Sequence, residues 1–297
     1  MYCRIGATVC RPCNPQRRRL LSTVAGGDQP INHLPPTTCA VPWNHLLRAH
    51  ICRSRPDLAL ALYRRMRALS PALPNSYTLP LALRAASSPR NASAVHAHAL
   101  HLGLHAHPDV AGQLLAAYAR HGRAAEARLV FDAMPARRTT MSWNTLISAY
   151  SVCCDPDSAM SVFARMAAHE ARPDAVTWTT VLSAHARCGK HPVVLELFRE
   201  MHGSGCEGNA ESMAVALSAC PYAGNLALAK GRAIHGYGVV KGIVRGYLFV
   251  TNSLVCMYGK LGEMDDARKV FHNAGKKNTA NGTVRLSISP VLLKTKD

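Results

Sequence analysis

Apolar residues recur at helical spacing over most of this chain, in pairs of short stripes separated by a turn. Within residues 140–174, each stripe occupies positions i, i+3, i+4 and i+7, which form one face of an amphipathic helix. Asp155 and Pro156 lie between the stripes and suit a helix N-cap and a first helical turn. The two stripes comprise Trp143, Leu146, Ile147 and Tyr150, and then Ala159, Val162, Phe163 and Met166.

The same helical hairpin returns along the chain at a nearly constant period. In residues 175–209, Trp178 follows Trp143 by 35 positions, and Met201 follows Met166 by 35. A period of roughly 20–50 residues is typical of a solenoid, and one hairpin cannot bury both of its stripes, so neighbouring hairpins must stack. The pattern predicts an all-α solenoid of about seven helix-turn-helix repeats over residues 40–279. Glycine follows the first helix in several units, as expected for a left-handed terminator, at Gly122, Gly189 and Gly262.

Two variant units, residues 76–109 and 210–247, share a histidine at one position. These residues, His96 and His235, each follow an apolar residue. A metal or catalytic role is one interpretation, and a packed, hydrogen-bonded histidine between repeats is the other. The second is favoured because no carboxylate or further ligand accompanies both copies.

Charge and cysteine content narrow the classes of partner. The formal net charge is +18, which favours a polyanionic partner, nucleic acid first. Every basic residue before Lys190 is arginine, so biased base composition in the gene is the alternative explanation. The eleven cysteines are scattered, and Cys10 and Cys13 form a single CxxC where structural zinc needs four ligands. No metal, cofactor or membrane partner is expected, and cysteines such as Cys188, Cys220 and Cys256 are predicted to be small buried residues.

The two ends of the chain lack the repeat pattern. Residues 1–27 carry five arginines and no acidic residue, as in an organelle transit peptide. Mitochondrial import is preferred, plastid import is the alternative, and a disordered basic tail is the simplest competing explanation. Residues 28–39 are predicted to be a linker, and residues 280–297 a disordered or truncated tail.

The repeat units resemble those of plant pentatricopeptide repeat proteins of the PLS class. The standard unit is represented by MSWNTLISAY from Met141, the long unit by VHAHALHLG from Val95 and AIHGYGVVKG from Ala233, and the short unit by AYARHGRAAEARLVFDAMP from Ala117. The resemblance implies a right-handed α-solenoid that binds single-stranded RNA, one base per repeat. It further implies a role in organellar RNA processing or in recognition of C-to-U editing sites.

The resemblance also implies which residues read bases: the fifth residue of a unit together with its last residue. Amide, hydroxyl and carboxylate groups suit a Watson–Crick edge. The implied pairs are Asn44 with Asn75 (pyrimidine), Asn144 with Asp174 (uracil), Thr179 with Asn209 (adenine) and Asn252 with Asn278 (pyrimidine). Pro80, Gly112 and Ala214 occupy the reading place in the intervening units and should only space the bases. Residues implied to wedge between bases are Val41, Met141, Val176 and Phe249. Asn44 or Asn144 could instead simply satisfy backbone N–H groups at a helix start.

Catalysis by this chain is not expected. A deaminase would need an H-x-E general base with a C-x-x-C zinc pair, and no glutamate here has a histidine two positions before it. The E/DYW-type extension of the family is therefore predicted to be absent, and an editing enzyme would be recruited in trans. A protein-binding scaffold and a truncated, non-functional fragment are the alternative hypotheses.

Overall fold

The computed structural model describes residues 39–69, 73–134, 138–168 and 171–278. The predicted transit peptide, most of the predicted linker and the predicted tail lie outside the described residues. The chain folds into two compact units, whose described residues fall within 39–117 and within 118–278.

Helices account for nearly all the regular structure of the described ranges. They are α1 Val41–Cys52, α2 Pro56–Leu69, α3 Thr78–Ala85, α4 Pro89–His101, α5 Pro108–Arg120, α6 Ala124–Ala133, α7 Thr140–Val152, α8 Pro156–Ala168, α9 Ala175–Arg187, α10 His191–Gly203, α11 Ala210–Ala219, α12 Ala227–Val240, α13 Ile243–Gly246, α14 Leu248–Lys260 and α15 Met264–Asn278. Two short 3₁₀ turns, Cys220–Tyr222 and Gly224–Leu226, connect α11 to α12.

In the first compact unit, helix α1 packs against α2 and helix α3 packs against α4 through their apolar faces, and α1 also packs beside α3. Apolar residues at helical spacing in both helices of residues 40–75 supply the core, with Trp43 and Leu47 from α1 and Leu62 and Met66 from α2 fully or almost fully buried. Two adjacent hairpins thereby cover apolar faces that neither could bury alone.

In the second compact unit, the first helices of successive repeats lie side by side, with α7 against α9, α9 against α11, and α11 against α14. The second helices α6, α8 and α10 each contact the first helix of the repeat that follows. An edge-to-face aromatic contact recurs at this junction, with ring centroids 4.7 Å apart both for Phe131 with Trp143 and for Phe163 with Trp178. The predicted all-α fold of stacked helix-turn-helix repeats is confirmed.

The turn inside each hairpin follows the chemistry that the sequence predicted. Asp155 accepts the Ser158 backbone N–H at 3.0 Å, and Pro156 is the first residue of α8. The three predicted glycine terminators have positive φ, as shown by 71° at Gly189. Cys154 occupies the position equivalent to Gly189 and also takes a left-handed φ, of 54°. A non-glycine residue in this conformation carries a backbone strain that glycine avoids.

The variant units differ from the standard ones in the length of their first helix. Helix α3 has 8 residues and α11 has 10, whereas α7 and α9 have 13 each. The packed role predicted for His235 is confirmed, since its Nδ1 lies 3.0 Å from the Tyr258 hydroxyl. Burial lowers the pKa of both His96 and His235, which favours neutral, packed imidazoles.

The prediction for the cysteines holds only in part. Cys220 is buried, Cys188 is half-buried and Cys256 is exposed. Cys256 follows Asn252 by four residues on α14, so both lie on the same face of the helix. The expectation for Cys256 was wrong because its side chain lies on a solvent-exposed part of that face.

Candidate nucleic-acid interface

The predicted reading residues lie at two recurring positions in the fold. The fifth residue of a unit lies near the start of a first helix, and the last residue of the unit lies just before the first helix of the next repeat. Stacking first helices side by side therefore brings the two residues of a pair together, although about 30 positions separate them in sequence. Three of the four pairs fall wholly on described side chains.

The first pair, Asn44 with Asn75, is in contact. Asn44 Nδ2 donates to Asn75 Oδ1 at 3.5 Å. Asn75 Oδ1 also accepts the backbone N–H groups of Tyr77 and Thr78, each at 3.0 Å, and so satisfies donors at the start of α3. Both asparagines are half-buried, which leaves part of each amide accessible.

The second pair, Asn144 with Asp174, repeats this arrangement. Asn144 Nδ2 donates to Asp174 Oδ1 at 3.5 Å, and Asp174 caps α9 by accepting the Thr177 N–H at 2.8 Å. Partial burial would raise the pKa of Asp174, but the hydrogen bonds from Thr177 and Asn144 outweigh it and hold that pKa below its ordinary value. Asp174 is exposed and therefore presents an ionised acceptor at neutral pH.

The third pair, Thr179 with Asn209, has a different pattern of hydrogen bonds. The Thr179 hydroxyl lies 2.6 Å from the Ala175 carbonyl oxygen of its own helix and 3.3 Å from Asn209 Oδ1. Asn209 Oδ1 caps α11 by accepting the Ser212 N–H at 2.7 Å. Both side chains of the pair are half-buried.

The fourth pair is only half described. Asn252 is half-buried on α14. Asn278 is the last residue of α15, and its side chain lies outside the described part of the structure. The pairing of these two residues stays a prediction.

The four predicted wedge residues are all apolar and all exposed. They precede the reading residues by three positions, and the exposed fraction is 36% for Val41, 77% for Met141, 57% for Val176 and 42% for Phe249. Their exposure at the same place in four repeats leaves these apolar side chains accessible to a ligand, as the wedge prediction requires. By contrast, Trp43, Trp143 and Trp178, one position before the reader, are buried.

The three spacer residues also lie on first helices. Pro80 lies on α3, Gly112 on α5 and Ala214 on α11. None has a side chain that can hydrogen-bond a base edge, so each interrupts the series of polar reading groups.

Sequence reasoning missed two further residues at the interface, Thr78 and Thr177. Each is fully buried and lies three positions after the closing residue of the preceding unit. Their hydroxyl oxygens lie 2.7 Å from Asn44 Oδ1 and from Asn144 Oδ1, respectively. The capping-box spacing of a polar residue followed by a hydroxyl three positions later is the sequence signal that could have revealed them.

Two other kinds of site were sought among the described residues. No group of three or more His, Cys, Asp or Glu side chains there could hold a metal ion. None of the described helices combines the length and apolar character needed to cross a membrane. Cys10 and Cys13 lie outside the described residues.

Models of a known repeat family match the chain. The PPR repeat family model matches residues 173–220, and the PPR repeat model matches residues 41–70, 112–138, 141–169 and 249–278. Together these matches span more than half of the sequence and coincide with the hairpins described above.

Relatives of the chain are found in Arabidopsis thaliana. One pentatricopeptide repeat-containing protein is 37% identical over 238 residues, which are 79% of this chain and 32% of the relative. Another, named chloroplastic, is 29% identical over 82% of this chain and 24% of its own length. A third, named mitochondrial, is 28% identical over 81% of this chain and 32% of its own length. The chain thus spans about a third or less of the length of these relatives.

A solved structure supports the fold. The pentatricopeptide repeat protein PPR10, crystallised in complex with an 18-nucleotide psaJ RNA element, superposes with a TM-score of 0.55 at 16% identity. The match covers 90% of this chain and 43% of PPR10. At this identity the likeness concerns the architecture of stacked repeats.

Proposed function

This chain belongs to the pentatricopeptide repeat family, and from that premise we propose that it binds single-stranded RNA with sequence selectivity. Residues 40–279 form the binding solenoid, and each repeat faces one base. The target has the form pyrimidine-N-N-U-A-N-pyrimidine, read from Asn44 to Asn252. The alternation of standard, long and short units supports the proposal that the chain is of the PLS class.

One observation carries this proposal: in three repeats the two residues of the reading pair contact each other, and an exposed apolar residue lies three positions before the first of them. An amide, a carboxylate and a hydroxyl supply the donors and acceptors that a base edge needs. An apolar side chain three positions earlier supplies a surface on which a base can stack, and stacking tolerates any base. The net charge of +18 adds attraction to phosphates, so affinity should fall steeply with salt.

The biological setting follows from the same premise. We assign the protein to an organelle, because relatives are named chloroplastic or mitochondrial, with the mitochondrion first and residues 1–27 as the import signal. The protein selects a site for RNA processing or C-to-U editing, has no catalysis of its own, and recruits an editing enzyme in trans.

The sharpest test exchanges one reading pair for another. The double variant Thr179→Asn with Asn209→Asp gives the third pair the residues of the second pair. Its preference at the matching nucleotide should change from adenine to uracil, by about 1–3 kcal/mol, as for other base contacts. Binding is measured by gel shift with RNAs that differ only at that nucleotide.

The control variant is Thr180→Ala, which removes a neighbouring hydroxyl that contacts the Val176 carbonyl oxygen at 2.7 Å. It should leave the base preference unchanged, as should the double variant at the nucleotide facing Asn144. An unaltered adenine preference in the double variant would contradict base reading by this pair. Equal binding of scrambled RNA by the native protein would favour the protein-scaffold alternative.

A further inference from the structure

Resting on the proposed base reading, we infer that Thr78 and Thr177 are positioning residues that fix the orientation of the reading amides of Asn44 and Asn144. Each threonine belongs to the repeat after the reading asparagine. Its hydroxyl holds the amide oxygen of the asparagine, so the amide offers its NH₂ group to the base. Base specificity at one repeat then depends on a buried residue of the next.

In the repeat at residues 40–75, backbone N–H donors determine the orientation of the Asn44 and Asn75 amides. The atom of Asn75 that receives the N–H groups of Tyr77 and Thr78 must be its oxygen. The Asn44 amide atom facing that oxygen at 3.5 Å is therefore its nitrogen, because two acceptors would repel. The Asn44 oxygen consequently faces the Thr78 hydroxyl at 2.7 Å, and the same hydroxyl also lies 3.0 Å from Asn75 Oδ1. Because two oxygens only 2.7 Å apart need a proton between them, the hydroxyl donates to the nearer acceptor, the Asn44 oxygen.

In the repeat at residues 140–174, the Asp174 carboxylate leads to the same orientation of the reading amide. Ionised Asp174 can only accept hydrogen bonds, so the Asn144 atom 3.5 Å from Asp174 Oδ1 is its nitrogen. The Asn144 oxygen again faces a hydroxyl, that of Thr177, at 2.7 Å, and this hydroxyl also lies 2.8 Å from Asp174 Oδ1. The Asp174 carboxylate already accepts the Thr177 backbone N–H, and the Asn144 oxygen is the nearer acceptor for the hydroxyl proton. The Thr177 oxygen in turn accepts the Asp174 backbone N–H at 3.2 Å, which completes the capping box. The cap of one helix thus holds the reader of the helix beside it.

The other repeats supply an internal comparison. At the position of Thr78 and Thr177, the repeat that follows Gly112 or Thr179 has a serine. The repeat that follows Pro80 or Ala214 has a valine at this position. The serine hydroxyls bond carbonyl oxygens of their own turns, at 2.7 Å from Thr139 and 3.0 Å from Asn209. The equivalent residues are Ser142, Ser212, Val110 and Val250. Among the described repeats, threonine occurs at this place only after a reading asparagine.

The orientation has a chemical consequence for recognition. With its oxygen engaged at 2.7 Å and its NH₂ held only by a 3.5 Å contact, Asn144 acts as a donor. Asp174 beside it acts as an acceptor. Uracil presents a carbonyl acceptor next to its N3–H donor and therefore complements this pair, whereas cytosine lacks the N3 hydrogen. A rotated amide would present a second acceptor and lose the match.

The test uses two matched variants of the full chain, Thr177→Val and Thr78→Val. Both remove a buried hydroxyl and keep the branched shape, so both lose the same capping contacts. Thr177→Val should reduce the preference for uracil at the nucleotide facing Asn144 by about fivefold, the value of one hydrogen bond. It should leave the nucleotide facing Asn44 unaffected. Thr78→Val should do the reverse, and Thr177→Ser should restore the native preference.

A merely structural role predicts a different outcome. In that case both variants would have lower thermal stability and weaker binding to every RNA, with unchanged ratios between bases, and the inference would be overturned. Ser212→Ala is the hydroxyl control, because the Ser212 hydroxyl bonds the Asn209 carbonyl oxygen. It should leave the adenine preference of the third pair intact.

A measurement without RNA separates this inference from the proposed function. In ¹⁵N NMR spectra of the free protein, Thr177→Val should shift the side-chain NH₂ signals of Asn144 and leave those of Asn44 in place. Unchanged Asn144 signals would contradict the inference, even if the native protein reads bases. If the native protein shows no base preference, the proposed function fails, and these spectra still decide whether the threonines orient the amides.

Discussion

The two consecutive repeats at residues 140–174 and 175–209 have the same buried apolar contacts but differ in their polar contacts. In each, a tryptophan of the first helix makes an edge-to-face contact with a phenylalanine of the preceding repeat, with ring centroids 4.7 Å apart. The buried stripes of α8 and α10 also correspond, from Ala159 to Met166 and from Val194 to Met201. The contacts that stack the repeats are therefore the same in both copies.

The polar residues of the two copies make different contacts. Asn144 interacts with Asp174 and with the hydroxyl of the next repeat, whereas the Thr179 hydroxyl mainly contacts its own helix. The hairpin turn holds Cys154 in the first copy and Gly189 in the second. The comparison indicates that the apolar contacts between repeats are separable from the polar groups proposed to read bases, since the same buried core accommodates two sets of polar groups.

Removing either tryptophan should have the largest effect on stability. Trp143→Ala and Trp178→Ala each create a large cavity and should cost about 3–5 kcal/mol of unfolding free energy. Urea unfolding followed by far-ultraviolet circular dichroism measures this cost. The matched controls, Met141→Ala and Val176→Ala, alter exposed residues and should change stability by about 0.5 kcal/mol or less. Equal costs for tryptophan and control variants would contradict the separation of stacking from reading.

Removing the cap between the copies should have an intermediate effect. Asp174→Ala leaves the Thr177 N–H without its side-chain acceptor and should cost about 1 kcal/mol. Asp174→Asn keeps a capping oxygen and should cost less. Thermal unfolding of the two variants gives both values, and an Asn variant as unstable as the Ala variant would contradict the capping role.

The contribution of this cap should also depend on pH. Because the pKa of Asp174 is lower in the folded protein than its ordinary value of 3.8, the stabilisation is fully present above the unfolded-state pKa. It is lost as the pH falls through the folded-state pKa. The stability difference between the native protein and Asp174→Asn should therefore be constant near neutral pH and should change below about pH 4. The stability difference between the native protein and Asn209→Ala should show no such change, because the Asn209 amide that caps α11 does not titrate.

Exchanging the turn residues should have effects no larger than the loss of the Asp174 cap. Cys154→Gly relieves the strain of a left-handed residue and should raise stability by about 0.5 kcal/mol, after the entropy cost of glycine. Gly189→Ala should lower stability by about 1 kcal/mol. A Cβ atom at Gly189 would meet nothing within 4 Å, so this cost reflects the backbone alone. Calorimetric melting of both variants tests the pair, and a stabilised Gly189→Ala would refute the backbone explanation.

The helices and their turns could largely be predicted from the sequence because they are determined by residues close together in the chain. The stripes from Trp143 to Met166 specify two helices by their period, Pro156 marks the start of α8, and Gly189 marks the end of the first helix. The side chain of Cys256 was wrongly expected to be buried, since the helical period alone does not show which faces a neighbouring repeat covers.

The amino-acid sequence by itself determined the period, the hairpins and the buried stripes, since these depend on contacts within about 35 residues. Only the tertiary structure shows that the Asn144 amide contacts the Asp174 carboxylate and that the Thr177 hydroxyl lies 2.7 Å from the Asn144 amide oxygen. These contacts arise where two first helices lie side by side, and the direction of each hydrogen bond depends on which neighbouring atom can donate. A repeat pattern specifies that the hairpins stack, but the polar contacts across the junction require the distances between atoms.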